Sequence, residues 1–427
     1  SSDWSSDVCS SDLTAPRAGT PGGERILIIG GGIAGFEAAR AARRQNAEAQ
    51  VVLLSREAEL PYYRLNLTRF LAGEIDDGDL PVQPENWYDD QAVDIRLNTE
   101  VKEIDPDGRT VLLADSSREG YDKAVLCAGA HPFVPPIPGM QRDGVTTLRT
   151  ADQTRALRDS TGEGLRCLCI GGGLLGLETA GALAAQGAQV TVVEGAPWLL
   201  PRQLDEVCGG YLAECVRERG IDLQLGRQVA ELVGDESVRE VVLDDDKRIP
   251  VDRVVVSAGI RANSWLARQA GLEVNRGVVV NSRLQTSQAD IFAAGDVSEH
   301  RGVCYGIWPA AHVQGGIAGA NAAGGELTFD GLERTNTLKV LGIGMMSLGL
   351  VTTDDGSYTI AADTGAAGAR RFVCHDNQLA GAALVGDIAL APACKAAMEA
   401  GLDLSPVARP GCTTDEIAAF LIEHTQP

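Results

Sequence analysis

The chain has 427 residues, 44% of them hydrophobic, which is enough for several packed domains of the usual size of about 150 residues. Its 37 basic and 59 acidic residues give a formal net charge of −22, which argues against nucleic-acid binding because duplex recognition needs a basic surface. No apolar run approaches the roughly 20 residues of a membrane-spanning helix, so we expect a cytoplasmic protein without a membrane partner.

The first 23 residues, which open with SSDWSSDVCSSDL, have neither the basic nor the apolar region of a secretory signal. They resemble a tag or a translated sequencing artefact, and we therefore leave residues 1–23 outside the predicted domains. The ten cysteines are scattered and form no CxxC or CxxxxC pair. We therefore expect buried free thiols, no disulfides and no metal site.

Two segments of the chain follow the same plan. Residues 25–45 (RILIIGGGIAGFEAARAARRQ) and 166–186 (RCLCIGGGLLGLETAGALAAQ) each run from an apolar stretch through a glycine turn into an alanine-rich helical stretch. A second apolar run follows each, at 51–55 and 190–194. This order predicts two βαβ units and an α/β fold with two Rossmann-like nucleotide-binding domains.

Both glycine turns have the spacing GxGxxG. The first glycine allows a tight turn, the second lets the backbone approach a pyrophosphate, and the third allows close helix–strand packing. The helix N-terminus that follows favours the negative phosphates, so each turn is predicted to bind a dinucleotide. The glycines are Gly30, Gly32 and Gly35 in the first turn and Gly171, Gly173 and Gly176 in the second.

An acid at the end of the second strand of such a unit can accept hydrogen bonds from a ribose diol. Glu194 occupies that place in the second half. In the first half the strand ends at Ser55, and Arg56 and Glu57 follow. We predict that Glu57 takes the ribose role, with a solvated charge as the alternative.

The run Phe292-AAGD-Val297 ends a short predicted strand in small residues, so that the Asp296 carboxylate can reach a hydroxyl of a long polyol cofactor. The segment after Gly306 is predicted to form a helix that begins near Pro309. The dipole at its N-terminus would stabilise the negative charge that develops on a flavin when it is reduced.

Prolines 135, 136 and 138 predict a linker after the first half of the two-part repeat.

The last hundred residues follow a different pattern. From about Leu332 the sequence predicts antiparallel strands, with a hairpin turn at Asp376 and Asn377 and a helix over 392–400.

Taken together, residues 24–325 resemble the FAD-dependent pyridine nucleotide-disulfide oxidoreductases. The similarity is greatest to reductases that pass electrons from NADH to rubredoxin or ferredoxin and to the flavin domain of nitrite reductases. It rests on LPYYRLNLTR (60–69), CAGAHPFVPPIPG (127–139), GGGLLGLE (171–178), SAGIR (257–261) and the AAGD run. The C-terminal hundred residues are similar to the small domain that ends the rubredoxin-reductase-like members.

The resemblance implies FAD at the first glycine turn and NADH at the second. It implies an FAD domain over residues 24–141 and 263–329, an NAD domain over 142–262, and a small α+β domain over 330–427. The implied cofactor-binding residues are Arg64 on the FAD pyrophosphate, Ala128 and Gly129 on the flank of the cofactor, Asp296 on the ribitol, Trp308 beside the isoalloxazine, and Val101 and Gly259 as further contacts.

The resemblance implies that a hydride passes from NADH to FAD and that electrons then reach an acceptor, such as a small redox protein or a small molecule. The alternatives are an NADH oxidase, a nitrite-reductase flavin subunit, and a non-catalytic redox-sensing flavoprotein; a monomer or a homodimer is expected. Related disulfide reductases carry a redox cysteine in the segment that corresponds to residues 61–69, which has none here. Disulfide chemistry therefore lacks its nucleophile, and Cys304 is expected to be a buried thiol.

Two side chains are predicted to act at the hydride path. Glu178 follows the second glycine turn, and Arg69 stands where the resembled reductases carry lysine. We predict an Arg69–Glu178 ion pair across the domain boundary, with ordinary surface charges as the alternative. Arg370 and Arg371 are a possible basic contribution to the docking of an electron carrier, with a solvated pair as the alternative.

Overall fold

The computed structural model describes residues 23–332 and 335–425. The predicted tag-like segment 1–23 therefore lies outside the described residues, apart from Gly23. The chain divides into two compact units. The first unit contains the chain up to Arg64, Gly78–His131 and Ile260–Gly331, and the second contains Leu65–Asp77, Pro132–Gly259 and the chain from Leu332.

The described residues form both helices and strands. The helices are α1 (Ile33–Gln45), α2 (Leu67–Leu71), α3 (Glu85–Asp90), α4 (Ala151–Asp159), α5 (Leu174–Ala185), α6 (Glu206–Glu218), α7 (Trp265–Gln269), α8 (Trp308–Ala322), α9 (Ala391–Ala400) and α10 (Thr414–Thr425). The strands are β1 (Arg25–Ile29), β2 (Gln50–Leu54), β3 (Val93–Arg96), β4 (Val101–Asp105), β5 (Thr110–Leu113), β6 (Arg118–Gly120), β7 (Lys123–Leu126), β8 (Ala130–Pro132), β9 (Val145–Thr147), β10 (Arg166–Ile170), β11 (Gln189–Glu194), β12 (Asp222–Leu225), β13 (Val229–Gly234), β14 (Val238–Leu243), β15 (Arg248–Pro250), β16 (Arg253–Val256), β17 (Ile260–Ala262), β18 (Val278–Val280), β19 (Ile291–Ala293), β20 (Ser298–His300), β21 (Thr335–Val340), β22 (Ile343–Gly349), β23 (Thr359–Gly365), β24 (Gly368–His375) and β25 (Gln378–Gly386).

The first unit is built on a parallel sheet with the strand order β19-β7-β1-β2-β3. Helix α1 connects β1 to β2, so the predicted first βαβ unit is confirmed. Helix α8 begins at Trp308, next to the predicted Pro309, and packs closely on α1. A Cβ atom on Gly315 would lie 2.3 Å from the Ala34 carbonyl oxygen, so only glycine allows this approach of the two helices.

The second unit repeats the plan with the parallel order β12-β11-β10-β16-β9, in which α5 connects β10 to β11. A three-stranded antiparallel sheet accompanies each parallel one, formed by β4–β6 in the first unit and by β13–β15 in the second. The predicted α/β class with two Rossmann-like halves is therefore confirmed. In both halves the central strands are buried on both faces, which explains their continuous apolar sequence.

The C-terminal strands form an antiparallel sheet with the order β21-β22-β25-β24-β23. Asp376 and Asn377 have φ values of +48° and +61°, the left-handed conformation that a two-residue hairpin turn requires, and the predicted turn is confirmed. The helix predicted over 392–400 is α9.

This sheet is covered on both faces. One face packs with α9 and α10. The other face joins α6 in a single hydrophobic core of the second unit, which the sequence did not predict. Members of this shared core include Leu199, Leu204, Cys208 and Leu212 from the α6 region and Met345, Ala369, Ala383 and Val385 from the sheet.

Nine cysteines lie among the described residues, and all are free thiols, as predicted. Seven of them are buried, but Cys215 and Cys304 are only partly buried, so the prediction of a buried thiol is wrong for Cys304. In the same part of the chain, no helix has both the length and the apolar composition that crossing a membrane requires.

His300, at the end of β20, is a buried imidazole with an expected effect on stability. It is only 2% exposed, it packs edge-on against Phe329, and neither ring nitrogen has a hydrogen-bond partner among the described residues. Burial lowers its pKa, and the charge of Arg301 lowers it further. The unfolded chain therefore takes up this proton at a higher pH than the folded chain does.

We expect the free energy of unfolding to fall as the pH drops below about 6.5, where the histidine of the unfolded chain becomes protonated. His300→Phe removes that proton uptake, so its melting temperature should fall less between pH 7.5 and pH 5.5 than that of the wild type. Thermal melts across this range measure the difference, and His424→Phe, on the exposed end of α10, is the matched control. Equal acid sensitivity of wild type and His300→Phe would contradict the assignment.

Candidate functional site

The first glycine turn, between β1 and α1, has the geometry that its spacing predicts. Gly30 has φ +119°, and a Cβ atom there would lie 2.2 Å from the Cys127 carbonyl oxygen. A Cβ atom on Gly35 would lie 1.9 Å from the Gly30 carbonyl oxygen. At Gly32 a Cβ atom would meet no atom within 4 Å. The first and third glycines are thus required by the chain itself, whereas the second leaves open space at the N-terminus of α1.

The second glycine turn repeats this geometry. Gly171 has φ +113°, and its Cβ atom would lie 2.5 Å from the Ser257 carbonyl oxygen. A Cβ atom on Gly176 would lie 1.9 Å from the Gly171 carbonyl oxygen, the same distance as for the corresponding Gly35. The space around Gly173 is open to 4 Å. Each unit therefore contains one turn with room for a phosphate group against its backbone.

Glu194, at the end of β11, is bound to the second turn. Its Oε2 atom accepts a hydrogen bond from the Gly172 N–H at 2.7 Å, and its Oε1 atom accepts one from the Ala196 N–H at 2.8 Å. A carboxylate has about four lone-pair directions, so each oxygen keeps capacity for a further donor such as a ribose hydroxyl. The acid is thereby held next to the open position at Gly173.

Glu57 lies in the first unit as the partner of Arg64. The two side chains form an ion pair, and the Tyr62 hydroxyl donates a hydrogen bond to Glu57 at 2.7 Å. The Glu57 side chain is 18% exposed, so the alternative of a solvated charge is wrong. Burial by itself would lower the pKa of Arg64, but Tyr62, Glu57 and Asp296 outweigh it and raise that pKa. Arg64 is thus held as a permanent cation near Asp296.

Trp308 is the first residue of α8 and has aromatic neighbours on two sides. Its ring centroid lies 6.0 Å from that of Tyr63, and it stacks on His312 at 5.0 Å with an interplanar angle of 16°. The buried Trp308 Nε1 donor has no partner among the described residues. A buried donor without a partner costs free energy, so this atom is suited to a ligand acceptor.

Glu37, on α1 beside His312, is an acid that was not predicted from the sequence. Its carboxylate is buried, accepts a hydrogen bond from Arg40 Nε at 2.9 Å, and has its Oε1 atom 3.1 Å from His312 Nδ1. That last contact does not have the geometry of a hydrogen bond. The available signal was an acid two residues after the GxGxxG turn, in an alanine-rich helix.

The other predicted cofactor contacts are spread over both units. Ala128 and Gly129 follow β7, and both carbonyl oxygens accept hydrogen bonds from Asn263, from Nδ2 at 2.6 Å and from the backbone N–H at 2.9 Å. Val101 is buried at the start of β4. Gly259, after β16 in the second unit, is exposed with φ +106°. Asn263 was not predicted, since no motif distinguishes it.

Comparison with known proteins identifies the family. The family model for pyridine nucleotide-disulphide oxidoreductases matches residues 24–324, which is most of the chain. The chain belongs to this family. A second model, for the C-terminal domain of rubredoxin NAD+ reductase, matches residues 335–402. The predicted family, whose members are oxidoreductases that use FAD and a nicotinamide nucleotide, is thereby confirmed.

Similar proteins include a nitrite reductase [NAD(P)H] of Bacillus subtilis, 32% identical over 369 residues that make up 86% of this chain and 46% of that protein. The rubredoxin-NAD(+) reductase of Pseudomonas putida is 32% identical over 66% of this chain and 74% of its own. The crystal structure of NADH:rubredoxin oxidoreductase from Clostridium acetobutylicum has a TM-score of 0.79 and 26% identity, and the match covers 93% of this chain and 99% of that one. The chain spans about half the length of the nitrite reductase.

The residues of this oxidoreductase fit the cofactors of its family. The two glycine turns provide open backbone for two pyrophosphates, and the unpartnered Trp308 Nε1 provides a donor. Arg64 provides a cation, and the Glu194 carboxylate has oxygens that can accept a further hydrogen bond.

The predicted Arg69–Glu178 ion pair is wrong. Arg69 Nε instead contacts Glu74 Oε2 at 3.2 Å, with the two side chains 53% and 60% exposed. Glu178 Oε1 accepts a hydrogen bond from the Leu341 N–H at 2.9 Å, and both acids lie in the second unit together with Arg69. Burial raises the pKa of Glu178 and the charge of Glu74 raises it further, although the Leu341 N–H opposes the shift. Glu74 is only five positions from Arg69, so this ion pair closes a shorter loop, at a lower entropic cost, than a pair with the distant Glu178 would.

Arg370 and Arg371 are not a free basic pair. Arg370 contacts Asp363 at 3.2 Å and Asp415 at 2.7 Å, and Arg371 contacts Asp205 at 3.0 Å. Neither the predicted docking role nor the solvated alternative therefore describes them.

Cys304 lies near Glu299, with its Sγ atom 3.9 Å from Glu299 Oε2. Burial raises the pKa of this thiol, and the Glu299 carboxylate raises it further. It is therefore held as the protonated thiol, which is a poor nucleophile.

Replacing Cys304 by serine should leave electron transfer from NADH to a dye almost unchanged, because a protonated thiol cannot relay electrons through a disulfide. Steady-state turnover measures this, with Cys215→Ser, the other partly buried thiol, as the matched control. A loss of more than about tenfold, or ~1.4 kcal/mol of barrier, in Cys304→Ser alone would identify a thiol relay.

Proposed function

We propose that this oxidoreductase transfers a hydride from NADH to bound FAD and passes the electrons to a small carrier protein such as rubredoxin or ferredoxin. The observation that supports this most is the repeated glycine turn, one in each unit, with open space at Gly32 and at Gly173. Bound FAD supplies the step between a two-electron donor and a one-electron acceptor. The C-terminal match to a rubredoxin-reductase domain supports a carrier protein as acceptor.

In this proposal, residues 24–141 and 263–329 hold FAD, 142–262 hold NADH, and 330–427 form the small third domain. Arg64 neutralises the FAD pyrophosphate, and Asp296 accepts from the ribitol. The N-terminus of α8 directs its dipole at the flavin beside Trp308, which favours the negative charge gained on reduction. Arg69 and Glu178 remain our predicted catalytic residues, but as separate side chains.

An anaerobic titration with NADH tests the proposal. The purified protein should be yellow, NADH should bleach its flavin spectrum, and reduced protein should then reduce rubredoxin or ferredoxin. A protein that takes up no FAD would contradict the proposal.

The alternatives give different outcomes in the same assay. Reoxidation by oxygen alone would indicate an NADH oxidase, and reoxidation only by a sirohaem-containing partner would indicate a nitrite-reductase flavin subunit. Slow turnover with every acceptor, together with an NADH-dependent change of oligomeric state, would indicate a redox-sensing flavoprotein.

We also expect a preference for NADH over NADPH. The 2′-phosphate of NADPH would meet the Glu194 carboxylate, and the repulsion of like charges should lower kcat/KM by at least about fivefold, or ~1 kcal/mol. Glu194→Gln keeps an oxygen acceptor without the charge, so the ratio of kcat/KM for NADH to that for NADPH should be smaller in this variant than in the wild type. Equal kcat/KM values for the two nucleotides in the wild type would refute the role of Glu194.

The nine free thiols of the described residues support a reducing, cytoplasmic location. We propose a monomer or a homodimer without a nucleic-acid partner, and light scattering of the flavin-loaded protein tests the oligomeric state.

A further inference from the structure

The segment that follows Glu194 is held from two sides within the second unit. At its start, Glu194 binds the Gly172 N–H, and the Leu200 N–H donates back to the Gly172 carbonyl oxygen at 3.2 Å. A Cβ atom on Gly172 would lie 2.8 Å from Leu199, so the glycine turn and this segment are in close contact. We call residues 194–205 the ribose segment, because it begins at the proposed ribose acid.

The ribose segment is constrained along its length. Leu200 has φ +54°, a left-handed conformation that costs free energy for leucine, and the residue is almost completely buried. The Trp198 Nε1 atom donates a hydrogen bond to the Leu204 carbonyl oxygen at 3.0 Å. Such a conformation persists only when surrounding contacts enforce it.

Its far end is held by the C-terminal sheet. Asp205 caps α6 by accepting hydrogen bonds from the Val207 and Cys208 N–H groups, both at 3.2 Å. Arg371, on β24, donates to the same carboxylate from Nη1 at 3.0 Å. The Arg371 and Asp205 side chains are only 13% and 6% exposed, so the pair is protected from screening by salt.

We propose that Arg371 is a positioning residue for the nicotinamide nucleotide: through Asp205 it fixes the ribose segment, and so holds Glu194 and the Gly172 turn in the geometry that binds the ribose. This gives the C-terminal sheet a role in nucleotide affinity, and it rests on the proposed function of the second glycine turn. Arg371 acts through Asp205 and does not touch the nucleotide itself. Removing either charge leaves the other buried without its partner, which loosens the far end of the segment.

The test compares Arg371→Met with Arg370→Met. The adjacent Arg370 is also ion-paired, but to Asp363 and Asp415 of the C-terminal region, so its loss should not reach the ribose segment. In Arg371→Met the KM for NADH and the Kd for NAD+ should rise by about tenfold, equivalent to ~1.4 kcal/mol, while kcat changes less than about twofold. Arg370→Met should match the wild type in all three.

Asp205→Asn provides a second variant in case Arg371→Met does not fold. Asparagine caps helices as well as aspartate does, so α6 is retained while the charge partner is lost. The same rise in KM is expected, and the double variant should bind no more weakly than the weaker single variant, because the two residues act as one unit. A wild-type KM in a folded Asp205→Asn protein would overturn the proposal.

Hydrogen exchange of the Leu200 amide gives a readout that does not require nucleotide. It should be faster in Arg371→Met than in the wild type and unchanged in Arg370→Met. Unchanged exchange and unchanged NAD+ affinity in Arg371→Met would overturn the positioning role and leave the proposed function intact. A wild-type protein that binds neither NADH nor NAD+ would overturn the proposed function and, with it, the link from this segment to a nucleotide.

Discussion

Replacing Gly32 by valine is expected to give a folded, colourless protein that takes up no FAD. Gly32 has φ −81° and ψ −176°, which any residue adopts, and a Cβ atom there meets no atom within 4 Å. The new side chain therefore does not disturb the chain, but it fills the space in which the pyrophosphate would approach the backbone. Flavin absorbance per protein after reconstitution with FAD measures the effect, and circular dichroism checks the fold.

The corresponding change at Gly173 should abolish the reaction with NADH and leave FAD binding intact. Gly173 has φ −78° and ψ 177° and equally open surroundings, so Gly173→Val should fold and bind FAD but should not be bleached by NADH. Gly78→Val, at an exposed glycine with open surroundings outside both turns, is the matched control and should retain both properties. Full flavin content in Gly32→Val, or either loss of FAD or normal bleaching by NADH in Gly173→Val, would contradict the assignment of the turns.

Arg64→Met should weaken FAD binding by about 100-fold, or ~3 kcal/mol, because it removes a partly buried cation and leaves the Glu57 carboxylate without its ion-pair partner beside a negative pyrophosphate. Titration of the apoprotein with FAD, followed by flavin fluorescence, measures the change in Kd. Methionine keeps most of the side-chain volume, so the loss reflects charge rather than packing.

Two further variants make this result specific. Arg56→Met, at an exposed arginine next to Glu57, should bind FAD as tightly as the wild type. Arg64→Lys keeps the charge but loses the planar fork that binds a carboxylate and a phosphate together, so its Kd should be intermediate. If Arg64→Met and Arg56→Met bind FAD equally well, Arg64 has no role at the pyrophosphate.

The local motifs were predictable from the sequence. The two glycine turns depend on residues that are five positions apart and on the strand and helix that flank them, so spacing and hydrophobic pattern are sufficient to find them. The hairpin turn at Asp376 and Asn377 is equally local, because these residue types tolerate the left-handed conformation that the turn demands.

The resemblance of the motifs to a family was confirmed for the same reason. The resemblance rests on short segments, such as GGGLLGLE (171–178) and the AAGD run, which can be recognised from the residues within each segment. The ion pair between Glu57 and Arg64 was not predicted, since it depends on how the loop after β2 folds back on itself.

The tertiary structure alone decided which distant charges meet. Arg69 has a nearby acid in Glu74 at little entropic cost, whereas Glu178 is directed to the Leu341 N–H of the C-terminal region. Arg371 and Asp205 are 166 positions apart, and no pattern in either segment indicates the other. Hydrophobic periodicity determines which face of a strand or helix is buried, but not which element buries it. That choice of packing partner depends on the fit of many side chains at once. It produces the shared core of α6 and the C-terminal sheet, and with it the Arg371–Asp205 contact at the end of the ribose segment.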